Sequence, residues 1–375
     1  MRLRVAMNLL WCTPGVGGSE EYLVRQMDGI KENGHPVDVE VFAPRGFAGR
    51  LPAVAEHFTV HEAPSACTRR AERVALEHTW LAARTRGFDL VHHGGGTVPR
   101  VGNTRTLLTV HDVQWVDYPH YVRPVKLRYL RWMVPRSLER ATRVAVPSQF
   151  VATTLTSAFG TDPGRIGVVR HGLEAAFADP TPGPSVRERF GLGDRPFVVY
   201  PAITHPHKNH VFLLDLMATP GSEWADPSLI AVFAGSAGHA EADVRARIAR
   251  LGLAGRVVMP GRVSAADRNG LLAAADAMVF PSEYEGFGAP LIEAMRVGVP
   301  VIASDRASIP GVLGGCGIVR PLHLPGWTGA LAHARSSRGA LVDGGRARAA
   351  VFTSALSASD LLEQYETVAR LRGAS

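Results

Sequence analysis

The fold is decided by one stretch of sequence, Ala277-Met278-Val279-Phe280-Pro281-Ser282-Glu283-Tyr284-Glu285-Gly286-Phe287-Gly288-Ala289-Pro290-Leu291-Ile292-Glu293. Its four leading apolar residues predict a buried strand that ends at Pro281-Ser282. A glycine-rich turn follows, and the apolar residues from Ala289 onward predict a helix with Pro290 in its first turn, where no N–H is needed. A strand, a tight loop and a helix in this order form the repeating unit of a parallel α/β sheet.

The start of that helix is suited to an anionic ligand. First-turn amides and the helix dipole can hold a diphosphate, and glycines allow the backbone to approach it closely. Glu285 and Glu293 would repel phosphate, so their natural partners are neutral hydroxyls such as those of a ribose or a hexose. The alternative is a helix cap with two solvated glutamates, which the flanking strand and helix disfavour.

The same alternation of short apolar runs and longer amphipathic stretches extends to both ends of the chain of 375 residues. It predicts strands in each half of the chain, at Arg4–Leu9, Asp38–Phe42, Asp89–His92, Thr106–Val110, Arg143–Val146 and Ile166–Val169, then at Phe197–Tyr200, Leu229–Ala234, Val257–Met259, Ala277–Phe280, Val299–Ala303 and Gly317–Val319.

This pattern predicts an α/β protein of two Rossmann-like, doubly wound domains facing each other across a cleft. We place an N-terminal, acceptor-side domain at 1–178, a Pro- and Gly-rich linker at 179–196 and a C-terminal, nucleotide-sugar-binding domain at 197–355. A final helix at 356–375 is expected to pack back toward the N-terminal domain.

The residues 281–295 and the following Gly298-Val299-Pro300-Val301-Ile302-Ala303-Ser304-Asp305 resemble the retaining glycosyltransferase family 4, also known as glycosyl transferases group 1, of GT-B architecture. The resemblance implies transfer of a hexosyl group from a nucleoside diphosphate sugar (GDP-mannose-like, dTDP- or UDP-sugar) to a hydroxyl of a glycan, lipid or small metabolite. It also implies that Glu285 contacts the transferred sugar and Glu293 the ribose. The backbone of Gly286, Phe287 and Gly288 would reach sugar hydroxyls, with Ala289 and Leu291 completing the donor site.

A second motif, Thr204-His205-Pro206-His207-Lys208-Asn209-His210, follows the predicted strand Phe197–Tyr200. The three histidines alone could suggest a metal, but no acidic residue accompanies them, and we expect no metal and no cofactor. By resemblance, Lys208 neutralises the donor diphosphate. Relatives often carry an arginine where this chain has Ala202, which leaves open whether another basic residue replaces it.

A glycine-rich turn, Pro14-Gly15-Val16-Gly17-Gly18, follows the first strand. Ser19 is expected to be the N-cap of the next helix. The glycines lack the GxGxxG spacing, which disfavours NAD. By resemblance, Gly17 and Gly18 lie near the diphosphate and the acceptor.

Polar residues at other strand ends complete the predicted site. The resemblance assigns His111 a contact with the donor sugar, so the expected catalytic residues are His111, Glu285 and Lys208. Position alone suggests that His92, His93, Asp112 and Ser148 lie on the acceptor side.

The composition limits the partners. The net charge of +7 suits an anionic ligand or membrane surface, and the scattered basic residues disfavour nucleic acid. Three dispersed cysteines and no apolar span predict a cytoplasmic protein. The basic, amphipathic segments 123–133 and 69–73 leave open peripheral contact at the inner face of a membrane, against the alternative of ordinary domain helices with solvated charges.

Two other functions stay open on the same architecture. A sugar-nucleotide epimerase would convert the donor without an acceptor. A non-catalytic sugar-nucleotide-binding protein would bind it without turnover, and Ala202 in place of arginine keeps that alternative alive.

Overall fold

The structure is a computed structural model that describes residues 2–14, 17–174 and 177–371. The chain divides into two compact units, Met1–Ala175 with Phe352–Ser375 and Ala176–Val351. Gly15 and Val16 of the predicted glycine-rich turn lie outside the described residues.

A parallel sheet forms the centre of the first unit. Its seven strands, counted over the described residues, run in the order β3-β2-β1-β4-β5-β6-β7. Their bounds are β1 Arg4–Asn8, β2 Asp38–Ala43, β3 Thr59–Glu62, β4 Leu90–His93, β5 Thr106–Thr109, β6 Arg143–Val146 and β7 Ile166–Val168. The reversal of strand order between β1 and β4 creates the crevice in which parallel sheets usually bind ligands.

The second unit repeats this plan. Within its described part, six parallel strands run in the order β10-β9-β8-β11-β12-β13. They span β8 Phe197–Tyr200, β9 Ile230–Phe233, β10 Val257–Val258, β11 Ala277–Phe280, β12 Val301–Ser304 and β13 Ile318–Arg320. Strands β8, β9, β11 and β12 are buried throughout, so they are apolar on both faces, as expected for a sheet covered by helices.

Helices cover the sheets of both units. Those before the second unit are α1 Gly18–Glu32, α2 Phe47–Arg50, α3 Pro52–Ala55, α4 Arg70–Leu76, α5 Ala82–Arg84, α6 Gln114–Asp117, α7 Pro124–Arg140 and α8 Gln149–Phe159. The second unit contains α9 Gly183–Arg189, α10 His210–Met217, α11 Glu241–Arg250, α12 Ala265–Ala274, α13 Ala289–Val297, α14 Ile309–Leu313, α15 Ala330–Ser336 and α16 Arg338–Ala349, and α17 Ser354–Arg370 follows it. Within the described ranges, no helix combines the length and the apolar character needed to cross a bilayer.

The α/β class, the two parallel sheets and the return of the last helix to the first unit confirm the predicted fold. Helix α17 packs on α1, where Gly29 permits a close approach: a Cβ at this position would lie 1.9 Å from the backbone oxygen of Ser354. Asn33 ties the same two helices together by donating to the carbonyl of Ala355 over 3.0 Å.

The structure contains two elements that the sequence pattern did not indicate. Strand β3 is an edge strand with no fully buried residue, and a short half-exposed strand has no continuous apolar run. The predicted linker 179–196 contains α9, which begins at Gly183 with Pro184 in its first turn, a position that tolerates proline. Val186 of α9 is fully buried.

Candidate active site

The turn between β11 and α13 is built around a left-handed glycine. Gly288 has φ of 91° and forms the N-cap of α13, with Pro290 in the first turn. A side chain at position 288 would strain this backbone and would place its Cβ 3.0 Å from Leu291. The sequence thus folds locally to present the amide end of α13 at the carboxyl edge of the sheet.

Two predicted site residues meet at this edge. Lys208 Nζ donates to Glu285 Oε1 over 2.6 Å, and both side chains are largely buried, with 14% and 10% of their surface exposed. Ser282 Oγ donates to the same carboxylate oxygen over 2.6 Å. The pair therefore places a cation and a carboxylate beyond the ends of the adjacent strands β8 and β11, within one short hydrogen-bonded cluster.

The backbone that carries Lys208 is held by Tyr200 at the end of β8. Its hydroxyl donates to the Lys208 carbonyl over 2.7 Å. Burial, and then the Glu285 charge, raise the pKa of Tyr200, so the hydroxyl stays protonated and keeps this role. Burial also lowers the pKa of His207 to about 4, so this side chain adds no positive charge near neutral pH.

Glu293 lies one helical turn beyond the start of α13 at Ala289 and is 3% exposed. Its Oε2 forms an ion pair with Arg268 of α12 over 3.2 Å. The structure thus brings Lys208 and Glu285 together, and it engages Glu293 separately.

Ala202, where the family resemblance implies an arginine, lies two residues beyond the end of β8. It is 6% exposed, and its backbone oxygen would lie 1.9 Å from a Cβ on Gly235. Two chain segments therefore pass close together here. Across the described residues, no group of three or more His, Cys, Asp or Glu side chains is arranged to hold a metal ion.

In the first unit, His111 lies just beyond β5. Its Nε2 is 2.8 Å from the carbonyl oxygen of Gly94, which can only accept, so Nε2 carries the proton. Burial lowers the pKa of His111, so the ring is neutral near pH 7 and its Nδ1 is an acceptor. Trp11 and Tyr22 contact the ring, with centroids 5.5 Å away in each case. A neutral acceptor nitrogen suits a sugar hydroxyl and does not attract phosphate.

His92 and His93 lie in the core of the first unit. His92 is fully buried, with Nδ1 2.8 Å from the Tyr365 hydroxyl and Nε2 2.7 Å from the Thr109 hydroxyl. His93 is 4% exposed and its Nδ1 is 3.1 Å from Asn8 Nδ2. Burial lowers the pKa of each to about 3. With no exposed surface and both ring nitrogens engaged, His92 links the sheet to α17, and we assign it no acceptor contact.

The remaining predicted residues have local roles in the backbone. Ser148 is the N-cap of α8, and Asp112 Oδ1 accepts from the amide of Gln114 over 3.0 Å. Gly17, with φ of 78°, is the N-cap of α1, and Gly18 is its first residue. The expectation that Ser19 caps α1 is therefore wrong, because the N-cap lies two residues earlier, at Gly17.

Three serines that the sequence analysis does not single out hold the glycine-rich loop. Besides Ser282, Ser308 Oγ lies 2.9 Å from the carbonyl oxygens of both Glu285 and Phe287. Ser304 Oγ donates to the Ser282 carbonyl over 2.6 Å. Ser282 and Ser304 directly follow or end buried strands, and that position is the one sequence signal that could have identified them.

Comparisons with known proteins agree with this architecture. Residues 16–177 match the family model described as Glycosyltransferase Family 4, and residues 185–315 match the one described as Glycosyl transferases group 1. The chain belongs to this glycosyltransferase family, which has the GT-B fold. The predicted family is thereby confirmed.

Curated relatives match part of the chain. The O-antigen chain mannosyltransferase B of Escherichia coli is 28% identical over 236 residues, 62% of this chain and 61% of the relative. The D-inositol 3-phosphate glycosyltransferase of Jonesia denitrificans is 31% identical over 248 residues, 61% of this chain and 58% of the relative. The chain thus spans about three fifths of the length of these relatives.

Among solved structures, sucrose-phosphate synthase from Thermosynechococcus elongatus superposes with a TM-score of 0.77 at 20% identity and full coverage of both chains. HepE from Anabaena in complex with UDP-glucose gives a TM-score of 0.75 at 20% identity, over 98% of this chain and 100% of the other. At these identities the likeness establishes the fold.

Proposed function

We propose that this chain is a retaining glycosyltransferase that moves a hexosyl group from a nucleoside diphosphate sugar to an acceptor hydroxyl. The observation that carries the proposal is the buried Lys208–Glu285 pair beside the amino end of α13. It supplies a cation for a diphosphate and a carboxylate for sugar hydroxyls beside the amino end of a helix, whose dipole favours an anion.

The proposed reaction breaks the bond between the anomeric carbon and the diphosphate oxygen. The acceptor oxygen attacks from the same face, and its proton goes to an oxygen of the departing diphosphate, so the anomeric configuration is retained. Negative charge grows on the diphosphate as the bond breaks. We assign Lys208 and the positive end of the α13 dipole to that charge, because preorganised groups stabilise developing charge most effectively.

Donor binding requires Lys208 to leave part of its interaction with Glu285. The 2.6 Å contact between Lys208 Nζ and Glu285 Oε1 holds both side chains in place when no ligand is bound. It also compensates the charge that each would otherwise carry unpaired in a buried position. In the proposed complex the diphosphate becomes the partner of Lys208, while Glu285 turns to sugar hydroxyls and keeps the Ser282 hydrogen bond. We assign the ribose hydroxyls to Glu293 and a sugar hydroxyl to Nδ1 of His111.

The donor is one of several nucleotide sugars. Two relatives carry mannosyltransferase names, and HepE binds UDP-glucose, so UDP-, GDP- and dTDP-sugars form the test panel. Stabilisation of the protein against heating by one nucleotide sugar would identify the donor, since a ligand that binds only the folded state raises Tm.

The test is transfer with Glu285→Ala, using Glu283→Ala as the matched control in the same loop. We expect kcat to fall on the order of 100-fold or more for Glu285→Ala and to stay within a few-fold for Glu283→Ala, with unchanged Tm curves showing that both fold. Equal turnover in the two variants would contradict the assignment. Formation of an isomer from donor alone would indicate an epimerase, and donor binding without transfer or hydrolysis would indicate a binding protein.

A further inference from the structure

The first unit contains a cavity of about 300 Å³ at the carboxyl edge of its sheet. Trp11 and His111, which follow β1 and β5, line it from the strand side. Arg70 and Arg73 of α4 and Tyr129 of α7 line the helix side. This volume lies at the lower end of small-molecule sites and suits a ligand of one sugar or polyol unit.

The cavity lining carries an excess of positive charge. Arg70, Arg73 and Lys126 contribute three cations, and Asp112 is the one carboxylate among the lining residues. Both basic segments of the sequence that suggested a membrane surface thus supply residues to a single concave site.

The cations are poorly neutralised by the protein. Within the described residues, Arg70 and Lys126 form no ion pair or hydrogen bond, and Arg70 rests 4.7 Å above the Tyr129 ring. Arg73 Nε is 3.8 Å from Glu77 Oε1, too far for a hydrogen bond. Burial and the neighbouring Arg73 charge lower the pKa of Arg70. Folding therefore brings two like charges together without a carboxylate that compensates Arg70.

Uncharged donors line the same cavity. The indole Nε1 of Trp11, which is 8% exposed, and the hydroxyl of Tyr129 are buried atoms without a hydrogen-bond partner in the described part of the chain. A ligand rich in acceptor oxygens, such as a phosphate ester, satisfies such a set of donors and cations. Next to these donors, Nδ1 of His111 is free to accept from a hydroxyl.

We propose that this cavity binds a phosphate ester, so that the acceptor of the transfer carries a phosphate close to its reacting hydroxyl. The inference rests on the proposed function and names its acceptor class. Arg70 and Lys126 bind the phosphate oxygens, and His111 marks the hydroxyl side of the cavity. A phosphorylated sugar or polyol and the headgroup of a phospholipid offer the same chemistry.

Binding to the full chain is measured by calorimetry with two matched pairs of probes. One pair is glucose and glucose 6-phosphate, and the other is phosphatidylcholine vesicles without and with phosphatidylinositol. The variant is Arg70→Met/Lys126→Met, and Arg128→Met, on α7 but outside the cavity lining, is the matched charge control. We expect glucose 6-phosphate to bind at least 10-fold more tightly than glucose, or vesicles with phosphatidylinositol to bind at least 10-fold more tightly than vesicles of phosphatidylcholine alone. That preference should be lost in the double variant and kept in Arg128→Met.

The soluble and vesicle arms separate the sources of phosphate. Preference for glucose 6-phosphate supports a soluble phosphate ester, and preference confined to vesicles with phosphatidylinositol supports a lipid headgroup. No preference in either arm, or a preference that survives in the double variant, overturns the proposal. Arg70→Lys, which keeps the charge, should retain most of the preference and excludes misfolding as the cause.

The outcome is separable from that of the proposed function. Nucleotide-sugar binding and donor hydrolysis are measured on the same samples. If they are present in the wild type while phosphate preference is absent, the cavity proposal fails and the glycosyltransferase proposal stands. If donor binding and hydrolysis are also absent, the proposed function itself fails. In transfer assays, the double variant should raise KM for a phosphorylated acceptor at least 10-fold while leaving the donor KM within a few-fold.

Discussion

The carboxyl edges of the two sheets differ in whether their basic side chains are paired with carboxylates. At the edge in the second unit, Lys208 is paired with Glu285 over 2.6 Å, and Arg268 is paired with Glu293 over 3.2 Å. In the first unit, Arg70 lines its cavity without an ion pair to any described residue. The cations named in the second unit are thus paired with carboxylates, whereas Arg70 in the first unit is not.

This difference indicates how each edge meets an anion. A paired site is stable without ligand and must exchange one partner for another when the anion arrives, so its affinity is the difference between two ion pairs. In an unpaired cationic site, the cations repel one another when no ligand is bound. An anion that binds there loses nothing to the breaking of an existing ion pair. Removal of a cation should therefore destabilise the second unit and leave the stability of the first unit almost unchanged.

The largest effect is expected for Lys208→Met in the second unit. It leaves the Glu285 carboxylate, whose side chain is 10% exposed, with the Ser282 hydroxyl as a donor but without its lysine. Breaking one partner of a buried ion pair costs about 3 kcal/mol, and we expect that loss in urea unfolding at pH 7.5.

The control for this variant is the double variant Lys208→Met/Glu285→Gln. It removes the uncompensated charge and should recover at least half of the lost stability. If the double variant is as unstable as Lys208→Met alone, packing of the lysine stem and not charge pairing holds this edge together.

An intermediate effect is expected from acid in the first unit. Burial lowers the pKa of His92 to about 3, below the value of about 6.5 for an unfolded histidine. As the pH falls below 6.5, the unfolded chain binds a proton that the folded chain refuses, so stability is present above pH 6.5 and is lost on acidification. For His92 alone the loss between pH 6.5 and pH 5 is about 2 kcal/mol.

Urea unfolding of wild type and His92→Gln as a function of pH measures this contribution. The variant loses hydrogen bonds to Thr109 and Tyr365 and should be less stable at pH 7.5. As the pH falls, the free energy of unfolding of His92→Gln should decrease less steeply than that of the wild type. The difference between the two slopes should be about 1.4 kcal/mol per pH unit. Parallel pH profiles for the two proteins would show that His92 does not titrate on unfolding.

The sequence predicted the sheets well because each central strand is a short apolar run between polar segments. Phe197–Tyr200 and Ala277–Phe280 match β8 and β11 to the residue. It could not predict that Lys208 and Glu285 contact each other, since 77 residues separate them and only the sheet order places β8 beside β11. Their roles toward donor and sugar stay predictions.

For His92 the limit of sequence reasoning is physical. A histidine at a strand end looks the same in sequence whether it faces a ligand or the core. Its burial depends on Tyr365 in α17, 273 positions away. The basic segments 69–73 and 123–133 were equally ambiguous, because helical periodicity does not reveal that α4 and α7 share one cavity.

The smallest effect, and the sharpest test of the contrast, is expected for Arg70→Met. The side chain has no ion pair within the described ranges and lies near Arg73, so its removal relieves repulsion while losing a cation–π contact with Tyr129. These effects are each about 1 kcal/mol or less and oppose each other, so stability should stay within about 1 kcal/mol of wild type. The matched variant in the second unit, Arg268→Met, removes one ion pair of the buried Glu293 and should cost about 2 kcal/mol. Equal losses at the two positions would mean that Arg70 contributes to folding as Arg268 does, and that the first-unit cavity is not held ready for an anion.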